Sequence, residues 1–477
     1  MAVFSTQKDK NIGIFGLDKA GMKCYEALYN IANIICFDEN PSIRESFAEK
    51  YGIDKLLDIT DSKWKTLDKI VLSPDNLKII PSTHDIFELS NSAGIPIISD
   101  IDLFYDEIIT DINKTVNFVA VTGTNGKSST TSLIAQILKQ NKRNCLIGGM
   151  GAHHVSTLDL TADDYILEIS SSQLELLKSF KPKIAILLNI SNDHLDKYET
   201  IENYTAVQYK IFDRMDKDCY AIINIDNEIT KMLYDRLMDE DKTNLIPIHA
   251  AKLLKNGVSI HENNIHDNLE REGVESNKFL IPKNQHLQGV HNHENILAAY
   301  AACCVLGHLE PENIMAAIKE FEGLPHTLQF IDTIEHSETE IQFYNDSKAT
   351  NVAAACSSLA TFDNIYWLAG GIAKQPTIGE NEFEAFHSKI RKAYLFGKDK
   401  QILGGALKGK VNLSIYDNLN EAFNAAVVDA KNDSTKLKTI LLAPACAAQD
   451  QFKNSEDRGD FFIKLCTDCK LNFEFYI

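Results

Sequence analysis

The stretch Val119-Ala-Val-Thr-Gly-Thr-Asn-Gly-Lys-Ser-Ser-Thr130 passes from an apolar run, through a glycine-rich turn, into a helical pattern that continues from Thr131 to Lys139. Strand, turn and helix in that order are the layout of a phosphate-binding loop. Backbone N–H groups at the helix start point at an anion, a lysine reaches the β- and γ-phosphates, and the neighbouring hydroxyl can hold Mg²⁺. Gly123, Thr124, Asn125, Gly126, Lys127, Ser128 and Ser129 are therefore the candidate nucleotide-binding residues. The turn is shorter between its glycines than G-x-x-x-x-G-K-[ST], so taken alone it also fits a Gly/Asn turn that opens an ordinary helix.

Around this loop, 477 residues are too many for one hydrophobic core, and the length suggests about three domains. A hydrophobic content of 44% and a charged content of 24% are ordinary for a globular protein. The net charge of −19 is spread along the chain rather than gathered in a tail. A polyanionic ligand must then be met by a local basic pocket, and nucleic-acid binding is not expected. No apolar run approaches a membrane span, and Met1 to Lys10 has no signal-peptide pattern, so a cytoplasmic chain without membrane insertion is expected. The ten cysteines are scattered, and Cys466-Thr-Asp-Cys469 has no partner pair at zinc spacing, which reads as reduced structural thiols.

The N-terminal portion alternates short strands and helices. Asn11 to Gly16 reads as a strand, Gly21 to Asn30 as a helix, and Ile34 to Phe37 as a strand ending at Asp38. This is the pattern of a βαβ nucleotide-binding half, except that Asp18 stands where the second fingerprint glycine would be. Further strands read at Lys69–Leu72 and Pro96–Ile98, and Ser99–Phe104 leads toward the next domain. After the loop, strands at Tyr165–Ile169, Ile184–Leu188 and Tyr220–Ile223 with helices between them predict a mostly parallel sheet covered on both faces. Lys252–Asn284 reads as a small β excursion, and Asn292–Leu306 as an apolar helix. A third section opens near Gly323, with strands at Gln342–Tyr344, Ile365–Leu368, Ala393–Phe396 and Thr439–Leu442.

In an open α/β sheet the carboxyl ends of the strands face the ligand crevice. Glu168 closes one central strand, and Asn192-Asp-His194 and Asp196 follow another. Glu168 and His194 are thus candidates to approach the same phosphates as Ser128, a plausible Mg²⁺ environment for a cation that prefers oxygen and keeps waters. A solvated strand end and a turn histidine are the plainer readings of the two.

These segments stand in one order with several others: Gly123–Ser129, Glu168-Ile-Ser-Ser-Ser-Gln-Leu-Glu175, Asn189-Ile-Ser-Asn-Asp-His-Leu-Asp196, Gly289-Val-His-Asn-His-Glu-Asn295, Gly323-Leu-Pro-His326, Asn345-Asp-Ser-Lys-Ala-Thr-Asn351, and Leu442-Ala-Pro-Ala-Cys446 with Asp450-Gln-Phe-Lys-Asn454. From about Ile12 to the C-terminus the chain resembles the Mur ligase family. The loop, the His194 turn and His291-Asn292 are shared across that family and the folylpolyglutamate synthases. Asp346–Asn351 and Pro444–Asn454 resemble its D-glutamate-adding branch.

The resemblance implies three consecutive α/β domains: a Rossmann-like N-terminal domain for the UDP-substrate (1–112), a P-loop-type central ATPase (113–323) and a Rossmann-like C-terminal domain for the amino acid (324–477). It implies an ATP-dependent, ADP-forming ligase of peptidoglycan synthesis that adds D-glutamate to UDP-N-acetylmuramoyl-L-alanine through an acyl phosphate, with a monomer expected. By matched position, Lys127, Glu168, His194 and Lys348 would be catalytic, and Ser128, Glu168 and His194 would serve Mg²⁺. Asn292, Asn295 and Asp346 would contact the nucleotide. Asp38 and Ser73 would meet the uracil and the diphosphate, His194 would also face the UDP-substrate, and Thr350 and Lys374 would hold D-glutamate.

Several positions depart from the family pattern. Gln208 fills the place of a lysine that is carbamylated in the family, and Thr327 that of an arginine directed at the γ-phosphate. Met150 stands for an asparagine, Asp75 for a glycine, and Ala448 and Ser455 for a serine and a phenylalanine that touch D-glutamate. Two other readings stay open at this level: a nucleotide-binding protein that keeps the fold without turnover, and a ligase with a different acceptor.

Overall fold

The computed structural model describes residues 4–73, 84–111, 114–149, 153–269, 277–284, 286–307, 309–336, 338–374, 377–379 and 381–474. Met150 and Asp75 lie outside the described residues.

The first sheet joins β1 (Asn11–Phe15), β2 (Asn33–Phe37), β3 (Lys69–Leu72) and β4 (Ile97–Ile98) in the order β2-β1-β3-β4, all parallel. The second holds β5 (Asn117–Thr122), β6 (Cys145–Gly148), β7 (Asp164–Glu168), β8 (Ile184–Leu187), β9 (Tyr220–Asn224), β10 (Asn244–His249), β11 (Gly257–His261), β12 (Asn264–Asn268) and β13 (Asn277–Leu280). Its order is β13-β12-β11-β10-β9-β8-β5-β7-β6, parallel from β11 to β6. The expected β excursion is the antiparallel edge made by β11, β12 and β13. The third sheet holds β14 (Gln329–His336), β15 (Thr339–Asn345), β16 (Ile365–Gly370), β17 (Ile390–Phe396), β18 (Leu413–Ile415) and β19 (Leu437–Leu442), in the order β14-β15-β19-β16-β17-β18. Only the β14–β15 pairing in it is antiparallel.

The fold is thus three α/β layers in series. The central strands are buried on both faces, which is why β5, β7, β8 and β16 read as unbroken apolar runs rather than alternating ones. By their contacts, residues up to Ile190, His194–Ile281 and Glu294–Ile318 form one compact unit with the first two sheets, and Ser191–Asp193, Pro282–His293 and Lys319–Ile477 form another with the third.

Within the first unit, Ser99 and Asp102 make a reciprocal capping box that starts the helix Asp100–Ile109. Asp102 is fully buried and also accepts the N–H groups of Ser179 and Phe180, at 2.9 and 3.0 Å. Phe104 from the same helix packs edge-on against Tyr165, with ring centroids 5.1 Å apart. Cap, carboxylate and ring together seat this helix on the central layer. The acid at the altered fingerprint position has a local role too: Asp18 caps the helix Lys19–Leu28, accepting the N–H groups of Ala20 (2.9 Å) and Gly21 (3.1 Å).

Candidate active site

The chain runs from β5 out to β6, back through β7, and across β5 to β8, so strand order reverses at β5. A crevice opens at such a reversal, outside the carboxyl ends of the strands. Three segments meet there because their strands are neighbours: the loop after β5, Glu168 at the end of β7, and the segment from Asn189 that follows β8.

Gly126, at φ 88°, turns the chain into the helix Lys127–Gln140. A side chain there would be strained, and its Cβ would come within 2.4 Å of Asn295 Oδ1, so the backbone itself must approach this closely. Lys127 folds over the loop, donating to Gly123 O at 2.7 Å and Thr124 O at 2.9 Å. Its ammonium therefore lies over the concave nest of amides that would receive phosphate oxygens. The Ser128 hydroxyl donates to Glu168 Oε2 at 2.7 Å, bringing together two residues forty positions apart.

Asn189 fixes the shape of the loop by mirroring its backbone. Its Oδ1 accepts Asn125 N–H (2.9 Å), its Nδ2 donates to Asn125 O (3.1 Å), and its carbonyl accepts Thr124 N–H (2.8 Å). Thr130 donates to Asn295 Oδ1 at 3.1 Å, tying the loop helix to the helix Val290–Val305. Asn292 and Asn295 lie three residues apart on that helix and so share a face. Asn292 Nδ2 donates to Gln288 O at 2.7 Å. Burial pushes the neighbouring Glu294 carboxyl up to about 7, and the Asp226 charge adds to the rise; amide donors from Asn189 and Asn224 oppose it. Burial also pulls His291 down to about 4.

His194 sits at φ 53° as the residue that opens the short helix Leu195–Tyr198. Its ring centroid is 6.3 Å from that of Tyr204, whose hydroxyl is 3.4 Å from Thr124 Oγ1. The imidazole thus joins the loop through Tyr204. Gln208 is buried, and its Oε1 accepts the Thr122 hydroxyl at 2.7 Å. A neutral amide is thus bonded to the end of β5.

In the first sheet, Asp38 accepts Asn40 N–H in its own turn at 2.8 Å and Leu17 N–H from the segment after β1 at 2.6 Å. The Ser73 hydroxyl lies 2.7 Å from each Asp18 oxygen. Asp18 therefore sets a carboxylate at a helix N-terminus beside Ser73, a position that otherwise suits an anionic ligand.

In the second unit, Asp346 accepts Leu328 N–H at 3.1 Å and the Ser358 hydroxyl, and burial pushes its carboxyl up to about 6 against these donors. Lys348 pairs with Glu456. Lys374 Nζ lies 3.1 Å from Asp193 Oδ1, and Asn351 Nδ2 donates to the other oxygen of that carboxylate at 3.3 Å. Thr350 is half-buried, and Ala448 is buried. Sequence reading assigned no role to Thr122, Asn189, Tyr204, Glu294, Asp193 or Glu456. Only Asn189 left a signal, as the amide that follows an apolar strand directly.

A phosphate loop at a strand-order reversal, with Glu168 beside Ser128, is the layout of a nucleotide-binding α/β crevice. Residues 121–303 match the Mur ligase middle domain. The same fold is seen in MurF from Acinetobacter baumannii (TM-score 0.57, 14% identity, covering 93% of this chain and 90% of that one). It is seen too in MurC from Thermotoga maritima (TM-score 0.54, 17% identity, covering 97% and 100%). Similarity is far higher to two UDP-N-acetylmuramoylalanine–D-glutamate ligases. That of Rickettsia prowazekii is 44% identical over 458 residues, 96% of this chain and 98% of its own. That of Brucella abortus is 35% identical over 474 residues, 97% and 96% of the two chains. The chain belongs to the UDP-N-acetylmuramoylalanine–D-glutamate ligase family, and it is an ATP-dependent, ADP-forming ligase of peptidoglycan synthesis. Among the described residues no helix is long and apolar enough to cross a membrane.

Proposed function

We propose that the chain joins the amine of D-glutamate to the alanyl carboxylate of UDP-N-acetylmuramoyl-L-alanine, acting as a monomer in the cytoplasm, where both charged substrates are soluble. Segment 1–112 takes the uridine diphosphate, with Asp38 and Ser73 at its site. Segment 113–323 takes ATP, and segment 324–477 takes the amino acid. The observation that supports the reading is the cluster of Lys127 and Ser128 on the phosphate loop with Glu168 at the end of β7.

A carboxylate is a poor acyl donor, so its oxygen first attacks the γ-phosphorus of ATP and ADP leaves. The amine then attacks the carbonyl carbon of the acyl phosphate. The C–O bond to phosphate breaks, and the proton lost by the amine ends on the departing phosphate. Lys127 and the loop amides hold the transferring phosphoryl group, so positioning and fixed charge supply most of the acceleration. Asn292, Asn295 and Asp346 orient the nucleotide; Lys348, Thr350 and Lys374 receive the carboxylates of the amino acid; and His194, joined to the loop through Tyr204, faces the UDP-substrate.

The Ser128 and Glu168 oxygens fit Mg²⁺, a hard cation that takes few protein ligands and fills its shell with water and phosphate oxygens. Bound there, Mg²⁺ would neutralise charge on the γ-phosphate. Gln208 brings no anion, so the donor set fits a second cation poorly.

Phosphate release measured with all three substrates, and with each withheld in turn, tests the reading. Release should require UDP-N-acetylmuramoyl-L-alanine, ATP and D-glutamate together. Equal release with a neutral D-amino acid would overturn the acceptor assignment, and equal release without the UDP-substrate would overturn the donor.

A further inference from the structure

Strands β15, β19 and β16 lie side by side in the third sheet, and the loops at their carboxyl ends carry Asp346–Asn351, Ala443–Ala448 and Gly371–Lys374. These loops carry two lysines, and a third cation reaches them. Lys348 is matched by Glu456, and Lys374 by Asp193. The third, Arg458 of the helix Ser455–Glu474, is fully buried, and among the described residues no carboxylate pairs with it.

Every hydrogen bond of its guanidinium goes to a neutral group. Nε donates to Ser347 Oγ (3.0 Å), Nη2 to Ser347 O (2.9 Å) and Cys446 O (3.1 Å), and Nη1 to Gly370 O (3.2 Å). One planar group thus ties together all three strand-end loops. Gly371 passes directly over it: a Cβ there would lie 3.2 Å from Nη1 and 2.1 Å from Ala447 O. Ser347, held on two of its atoms, donates its own hydroxyl to Ser455 O at 2.7 Å and stands between Asp346 and Lys348. Burial lowers the guanidinium pKa to about 10, with Asp450 opposing at longer range, so the group stays charged at neutral pH.

A buried charge without a counter-ion is costly to maintain, and an anion brought by a ligand offsets that cost. The acceptor proposed above carries two carboxylates. We propose that Arg458 is a positioning residue that sets acceptor specificity: its bonds hold the three loops in register, and its unmatched charge makes their pocket favour a dicarboxylate over a neutral amino acid. It touches no substrate atom itself and acts through Ser347–Lys348, Gly370–Gly371 and Cys446. The inference rests on the D-glutamate reading.

The test compares kcat/KM for D-glutamate and D-glutamine, alongside the KM for ATP, in the wild type, Arg458→Gln and Arg458→Lys. Arg458→Gln should raise the D-glutamate KM on the order of tenfold or more and erase the preference over D-glutamine, with the ATP KM within about twofold. Arg458→Lys should keep the preference at neutral pH. Its D-glutamate KM should then climb with pH, because a buried lysine gives up its proton far more readily than arginine. That climb, absent from the wild type, carries the test if the glutamine variant does not fold. A preference unchanged in Arg458→Gln, or a D-glutamate pH profile in Arg458→Lys that overlays the wild type, would overturn the proposal. Wild-type enzyme that uses both acceptors equally would instead refute the D-glutamate reading beneath it.

Discussion

At the phosphate loop, Lys127 and Ser128 answer to groups nearby in the chain or on an adjacent strand, although Thr130 reaches Asn295 across 165 positions. Lys127 bonds to carbonyls three and four residues back, and Ser128 meets Glu168 across forty residues. Around the acceptor loops the partners come from far along the chain: Lys348 and Glu456 are separated by 108 positions, Arg458 and Ser347 by 111, and Lys374 and Asp193 by 181. The chemistry differs as well. The loop lysine is held by carbonyl dipoles, whereas both acceptor lysines are held by carboxylates. A dicarboxylate acceptor must exchange one ion pair for another at Lys348 and Lys374. This contrast predicts an ATP end that is sensitive to single substitutions and an acceptor end whose affinity is set by competition.

Lys127→Ala strikes the sensitive end hardest. Losing one preorganised charge from a phosphoryl-transfer site costs about 10²–10³ in rate, or roughly 3–4 kcal/mol. ADP formation should nearly vanish while the thermal unfolding transition stays in place, and unaltered turnover would break the comparison at its first member. Glu168→Gln removes the anion beside Ser128. The Mg²⁺ concentration for half-maximal rate should rise roughly tenfold or more, with a much smaller change in the ATP requirement. A Mg²⁺ titration that overlays the wild type would show that the pair does not hold the cation.

Glu294 gives the ATP end a pH signature. Its carboxyl is held at about 7 against an ordinary 4.5, so between those values the folded state binds more protons than the unfolded chain. The free energy of unfolding must then fall as pH rises through that window. Glu294→Gln imitates the protonated form and should flatten this part of the Tm–pH curve, whereas an unchanged slope would mean that Glu294 titrates normally. The smallest effect is expected at the acceptor end. Glu456 and Lys348 are both substantially exposed, and exposed pairs contribute about 0–1 kcal/mol. Glu456→Gln should lower the D-glutamate KM by no more than about fivefold. A rise instead would mean that the carboxylate supports the pocket rather than competing for it.

The same contrast explains what could be read without coordinates. Val119–Val121 and Ile184–Leu188 are apolar because parallel strands are buried on both faces, so the central sheet showed itself as runs. Glu168 and His194 could be placed near the loop because strand ends share one rim. β10 (Asn244–His249) and β14 (Gln329–His336) left no such trace. The first carries Pro247 between apolar residues, and the second mixes Asp332 and Glu335 into a strand at the sheet edge, where one side needs no partner. Asp18 was legible as an altered fingerprint, but not as a helix cap bonded to Ser73, a contact across 55 residues. Asp193 and Glu456 pair with lysines more than a hundred positions away, Arg458 bonds Ser347 across 111, and no local pattern encodes those.

The central claim is that the loop built around Lys127 converts the alanyl carboxylate into an acyl phosphate before D-glutamate attacks. UDP-N-acetylmuramoyl-L-alanine labelled with ¹⁸O in its terminal carboxylate tests this directly, by mass analysis of the phosphate released when ATP and D-glutamate are supplied. One labelled carboxylate oxygen should appear in each phosphate formed, because the carboxylate oxygen that attacks phosphorus leaves with it. Phosphate free of label, or no phosphate at all, would contradict the account.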